Sequence, residues 1–120
     1  MTRVEARRVL ADDYADVRGE RAAIDVFVNG ESLSMRLDAA PYGPDEIVTL
    51  GLTRAWLAEG HDVPLFNCTC GDPGCAGTTV DVTVSGDSVT WSVPGLGRPL
   101  RFSRQELHRS LSAALSSRGD

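Results

Sequence analysis

Lysine is missing from this chain: all twelve basic residues are arginine, they face seventeen acidic ones, and the formal net charge is −5. That balance is poor for a protein that must neutralise phosphates, so nucleic acid is not an expected partner. No apolar run approaches the roughly 20 residues that a membrane span needs, so no membrane role is expected. The first twenty residues are charged throughout and lack the apolar centre of a secretory signal, which predicts a cytoplasmic location. Neither a glycine-rich phosphate loop, a nucleophile elbow nor a His-Glu-x-x-His pair is present. Cysteine is sparse, with three residues, all within one short stretch.

What is there amounts to a globular domain. A chain of 120 residues with 42% apolar and 24% charged content is of single-domain size and is not dominated by disorder. It buries about two-thirds of its unfolded surface and needs neither disulfide nor metal merely to fold. Residues 1–21 read as an N-terminal arm or short helix: Val4, Val9, Leu10, Tyr14 and Val17 suit a helical stripe that Asp12, Asp13, Asp16 and Gly19 weaken. Residues 22–117 read as a single α+β domain.

Within that domain, Ala22, Ile24, Val26 and Val28 alternate with Ala23, Asp25 and Phe27. Asn29-Gly30 follows, then Leu33, Met35 and Leu37 alternate with polar residues. Asn-Gly suits a type I′ turn, in which both central residues take positive φ. The register then sets Val28 opposite Glu31, Val26 opposite Leu33 and Ile24 opposite Met35. From Asp45 to Glu59 the period becomes helical, with Pro44 at the first turn and Asp45-Glu46 at the positive end of the dipole. Gly51, in the middle of that helix, suggests close packing on a sheet. Val80, Val82 and Val84, then Gly86-Asp87, then Val89, Trp91 and Val93 predict a second hairpin, pairing Val84 with Val89 and Val82 with Trp91. Arg98 to Phe102 allows a short further strand. Ser103-Arg104-Gln105-Glu106 reads as a capping box, with Phe102 and Leu107 as its hydrophobic staple. Leu107, Leu111, Ala114 and Leu115 then form the buried stripe of a last helix. The expected architecture is α+β: an antiparallel sheet of four or five strands, from two hairpins, with two helices packed on one face.

The unusual segment lies between helix and second hairpin, Phe66-Asn67-Cys68-Thr69-Cys70-Gly71-Asp72-Pro73-Gly74-Cys75-Ala76-Gly77, with spacing C-x-C-x4-C. Pro73-Gly74 fits the centre of a type II turn from Asp72 to Cys75. Four readings stay open. Cys68, Cys70 and Cys75 can supply thiolates to zinc, with His61 the first candidate for the fourth ligand and Asp72 and His108 the others. A Cys70–Cys75 or Cys68–Cys75 disulfide, permanent or redox-active, runs against a cytoplasmic location. Copper(I) at the C-x-C pair is the third. The plainest is that reduced thiols and glycines shape a tight, partly buried loop and no cofactor is bound.

This loop, the valine-alternating strand after it, Asp87-Ser88-Val89-Thr90-Trp91 and Leu100-Arg101-Phe102-Ser103 opening a helix together resemble a group of small uncharacterised bacterial proteins of actinobacterial type. Their shared core is Cys-x-Cys or Cys-x-x-Cys, then Gly, Asp, a glycine-bearing turn and a third Cys. The resemblance covers about residues 64–115 and implies no particular activity.

The other histidines and arginines read as structural or solvated. His108 follows Leu107 at the edge of the buried face, and His61 sits past a helix end where a positive imidazolium suits the dipole. Arg98, Arg101, Arg104 and Arg109 form a basic cluster able to meet an acidic partner patch. With no convergent catalytic set in the sequence, the expectation is a cytoplasmic binding or regulatory module acting through protein–protein interaction. The alternative is a thiol- or zinc-dependent enzyme or redox protein using the cysteine loop.

Overall fold

A computed structural model describes residues 2–10, 22–67 and 77–116. Their elements are β1 (Val4–Leu10), β2 (Ala22–Val28), β3 (Glu31–Ser32), α1 (Leu33–Arg36), α2 (Pro44–Thr49), α3 (Leu52–Ala55), β4 (Gly60–Phe66), β5 (Thr78–Ser85), β6 (Ser88–Ser92), β7 (Leu100–Ser103) and α4 (Arg104–Ser116). The fold is α+β. A four-stranded antiparallel sheet runs β4-β5-β6-β7, and a separate three-stranded one runs β1-β2-β3. No helix among the described residues is long and apolar enough to cross a membrane.

The N-terminal arm is, over its described part, neither helical nor detached. Val4–Leu10 pairs with β2 along its whole length, from Val4 opposite Val28 to Leu10 opposite Ala22. Val4 and Ala6 enter the core. This pairing makes β2 a central strand, and its burial follows: Ala23, Ile24, Asp25 and Val26 are all shielded, although they alternate between faces. Residues 11–21 lie outside the described segments.

The first hairpin begins as the sequence predicts and then departs from it. Asn29 and Gly30 have φ of 51° and 87°, and Val28 stands opposite Glu31. Pairing stops after Ser32, and Leu33–Arg36 turns into the single helical turn α1, so Val26 and Leu33 are not strand partners and Met35 is exposed. The cause is Asp25. Its fully buried carboxylate accepts from Ser32 Oγ at 2.5 Å and from the Ser34 N–H at 3.4 Å. Ser32 Oγ in turn accepts from the Met35 N–H at 3.2 Å. A buried carboxylate gains more from these donors than the chain loses by ending a short ladder.

The long helix expected from Asp45 to Glu59 is two short ones. Pro44 opens α2, and Asp45 and Glu46 occupy its first turn. Gly51 then takes φ 68° and splits α2 from α3. A Cβ there would meet nothing within 4 Å, so the glycine serves the backbone turn rather than close packing on a sheet. Val48 and Leu50, just before the break, are exposed, whereas Ile47, Leu52 and Trp56 are fully buried.

Gly60–Phe66, not anticipated as a strand, pairs with β5 through two bulges, one at His61–Asp62, where Asp62 has φ 53°, and one at Leu65. The second hairpin holds the predicted register: Val84 opposite Val89, Val82 opposite Trp91. The allowed extra strand is β7, placing Phe102 opposite Val89. Ser103 caps α4, its Oγ accepting from the Glu106 N–H at 3.3 Å, and Leu107, Leu111 and Ala114 are buried.

One core joins the two sheets. At its centre Trp91 stacks edge-on against Trp56 at 5.8 Å and against Phe102 at 5.0 Å. Both indole N–H groups are satisfied by backbone, Trp56 donating to the Pro64 carbonyl at 2.8 Å and Trp91 to the Trp56 carbonyl at 2.9 Å. Short seams tie the two sheets to each other at Thr2 and to the loop between α1 and α2 at Ala40 and Tyr42. Thr2 N–H donates to the Arg101 carbonyl at 2.9 Å; Ala40 and Asn67 exchange bonds of 3.0 and 2.7 Å; Ile24 N–H donates to the Tyr42 carbonyl at 2.8 Å. Helix α4 lies along β1, where Ala6 N–H donates to Ser110 Oγ at 2.9 Å and the Arg8 guanidinium donates to the Ala114 and Leu115 carbonyls.

Candidate functional site

The cysteine loop joins two antiparallel neighbours, β4 and β5. Its described ends are secured: Phe66 is buried and opposite Thr78, and Asn67 exchanges two hydrogen bonds with Ala40. Cys68, Cys70 and Cys75 themselves lie outside the described residues, as does Asp72. His61 is at the other end of β4, beside Gly60 opposite Val82. Six residue steps of extended chain separate it from Asn67, roughly 15–20 Å at the rise of a bulged strand. Its side chain is 91% exposed, and Nδ1 lies 3.7 Å from the Asp81 carboxylate. That carboxylate also accepts the Asp62 N–H at 3.0 Å, holding the bulge. Among the described residues no three His, Cys, Asp or Glu side chains are grouped so as to hold a metal ion.

A second location is fully described. A cleft of about 550 Å³ opens between α3, the β5–β6 turn and the start of α4, lined by Thr53, Arg54, Leu57, Asp87, Arg104, Gln105 and His108. Sequence spacing explains who faces it. Thr53 and Arg54 come from α3, which exists as a separate turn because Gly51 breaks the helix before it. Arg104 and His108 are four apart and share one face of α4. Asp87 sits in the hairpin turn that Ser103 and Arg104 touch: its carboxylate accepts from Ser103 Oγ at 3.1 Å and its carbonyl from the Arg104 N–H at 2.7 Å. Leu57, only 4% exposed, forms an apolar floor.

The electrostatics of this cleft run against those of the chain. Two guanidinium groups face one carboxylate, which leaves one net positive charge with His108 neutral, in a chain of formal net charge −5. Neither Arg54 nor Arg104 forms an ion pair among the described residues. The cleft abuts the first turn of α4, where the helix dipole adds positive potential. A planar guanidinium pair with hydroxyl and amide neighbours, above an apolar floor, is chemically suited to bind an anionic group carried on a hydrocarbon stem.

The structure redistributes the residues singled out in the sequence. Of Arg98, Arg101, Arg104 and Arg109, all exposed, Arg104 lines the cleft and the others do not. His108 is exposed and lines the cleft instead of sitting at a buried edge. Arg54 falls within the stretch expected as one helix from Asp45 to Glu59 and was not singled out there. The one sequence sign of it is a charged residue at a position where Leu50 and Leu57 set an apolar stripe. Comparison with known proteins gives no match: no family model, no curated protein and no solved structure matches the chain.

Proposed function

We propose that the chain is a cytoplasmic binding or regulatory module that acts through protein–protein interaction, taking an acidic segment of a partner into the cleft between α3 and α4. One observation carries this reading: Arg54 and Arg104, brought together from separate helices, stand without ion-pair partners among the described residues around a cleft of about 550 Å³. Two guanidinium groups against one carboxylate, beside the first turn of α4, favour an anionic ligand in this cleft. The cleft volume exceeds that of a single carboxylate and falls in the range of sites that enclose several groups of a ligand. The net charge of −5 favours a protein partner over a nucleic acid.

The test is a titration of the labelled protein with a glutamate-rich peptide, followed by nuclear magnetic resonance. Shifts confined to Thr53, Arg54, Leu57, Gln105 and His108, abolished in the Arg54→Glu/Arg104→Glu double variant, support the reading. Shifts spread over the surface, or none at millimolar peptide, overturn it.

A further inference from the structure

Resting on that reading, we infer that His108 is a proton-gated third cation of the cleft, so that an acidic segment is held more tightly as pH falls from 7.5 to 5.5. His108 is exposed and lines the cleft, one turn beyond Arg104 on the same face of α4. The other charged groups of the lining are Arg54 from α3, Asp87 from the β5–β6 turn and Arg104 itself. Glu106 and Arg109, close by on α4, are not among the lining residues.

The charge of this lining changes with pH. Two guanidinium groups against one carboxylate leave one positive charge while the imidazole is neutral, and two once it is protonated. Histidine is the side chain whose charge ordinarily changes between pH 5 and 8, a range across which guanidinium and carboxylate charges ordinarily stay fixed. The effect needs no direct contact between ring and ligand. A cleft of about 550 Å³ is about 10 Å across when treated as a sphere, which matches the screening length of about 10 Å at 0.1 M salt. An anion docked within it therefore feels the imidazolium, whichever lining groups it touches. The coupling is reciprocal: protonation of His108 favours the anion, and a bound anion favours the proton.

The experiment is calorimetry of a histidine-free, glutamate-rich peptide against the whole chain at pH 7.5 and 5.5 in 0.1 M salt, conditions in which the peptide carboxylates stay largely ionised. The unaltered chain binds about fivefold more tightly at pH 5.5, the size expected of one added charge several ångströms from an anion in a partly solvated site. His108→Gln removes the difference between the two pH values. His108→Arg removes it too, and binds more tightly than His108→Gln at both, because its charge is permanent. His61→Asn changes the other histidine of the chain, which lies outside the lining, and keeps the difference. Without any variant, the ring resonances of His108 followed by nuclear magnetic resonance titrate at higher pH with peptide bound than without it. Equal affinity at both pH values in the unaltered chain, or a difference that survives in His108→Gln, overturns the gating. The cleft reading then still stands where binding depends on Arg54 and Arg104. Binding at neither pH overturns both.

Discussion

Asp25 has no solvent at all, yet it holds a charge-capable group against the Val26 N–H at 2.8 Å, Ser32 Oγ at 2.5 Å and the Ser34 N–H at 3.4 Å. Asp25→Ala removes the acceptor and leaves those donors buried, so a loss of about 2–3 kcal/mol is expected in urea denaturation. Helicity falls slightly as α1 loses its anchor. Tyr42 offers a test by pH. Its phenol is pushed above the ordinary 10.0, first by burial and then by the nearby Glu46 carboxylate. The folded chain therefore holds this proton more tightly than the unfolded one. The contribution is complete below pH 10 and is lost as pH rises through the raised value. Tyr42→Phe should flatten the alkaline limb of a stability profile relative to the unaltered chain. Identical slopes above pH 10 in both would count against the assignment. His61 is the contrasting residue: with 91% of its side chain in solvent, His61→Asn should leave the thermal midpoint unmoved, with or without added zinc. A midpoint drop only in the presence of zinc would support His61 as a ligand beside Cys68, Cys70 and Cys75.

Among the elements, local chemistry is what sequence reveals and what mutation tests most directly. Asn29 and Gly30 both hold positive φ, and Asn29 Oδ1 also accepts from the Arg3 N–H at 3.2 Å. Replacing the pair by Ala-Ala should cost about 2–3 kcal/mol, measurable by thermal melting. Ser103→Ala should cost about 1 kcal/mol, because the Glu106 N–H loses its acceptor. Both features are legible in the sequence because turn and cap depend on residues within a few positions. So is the register of Val82, Trp91, Val84 and Val89, which a two-residue turn dictates. Leu33–Arg36 was not legible: its alternation suits a strand, and the donor-hungry carboxylate that ends the strand sits on its neighbour, eight residues earlier in the case of Leu33. The pairing of Val4–Leu10 was equally out of reach, since its partner strand lies beyond a segment with no turn signal. The site was legible only in part. Arg104 and His108 share a helix face by spacing, but their meeting with Arg54 depends on where Gly51 turns the chain.

At the scale of the whole molecule, two sheets share one core, centred on Trp91 with Trp56 and Phe102. Their unfolding is expected to be a single event. Tryptophan fluorescence reports the centre of that core, and far-ultraviolet dichroism reports both sheets, so the two denaturation curves should coincide. A dichroism change preceding the fluorescence change would show the three-stranded sheet leaving first, and the seams at Thr2, Ala40 and Tyr42 would then be surface ties rather than parts of a cooperative whole.

Those seams bear on how copies of the chain behave in a crowded solution. Two open sheets have four outer strands, each offering unpaired amides and carbonyls to a neighbouring molecule. Here each is blunted differently. Helix α4 lies against β1 and takes the Ala6 amide onto Ser110. Strand β3 is only two residues long. Strand β4 carries a proline and two bulges and closes on Ala40 at Asn67, and β7 is met by Thr2. Among the described residues each outer strand is thus short, bulged or covered in part, which discourages growth of one molecule onto another by continued strand pairing, and the net charge of −5 adds mutual repulsion.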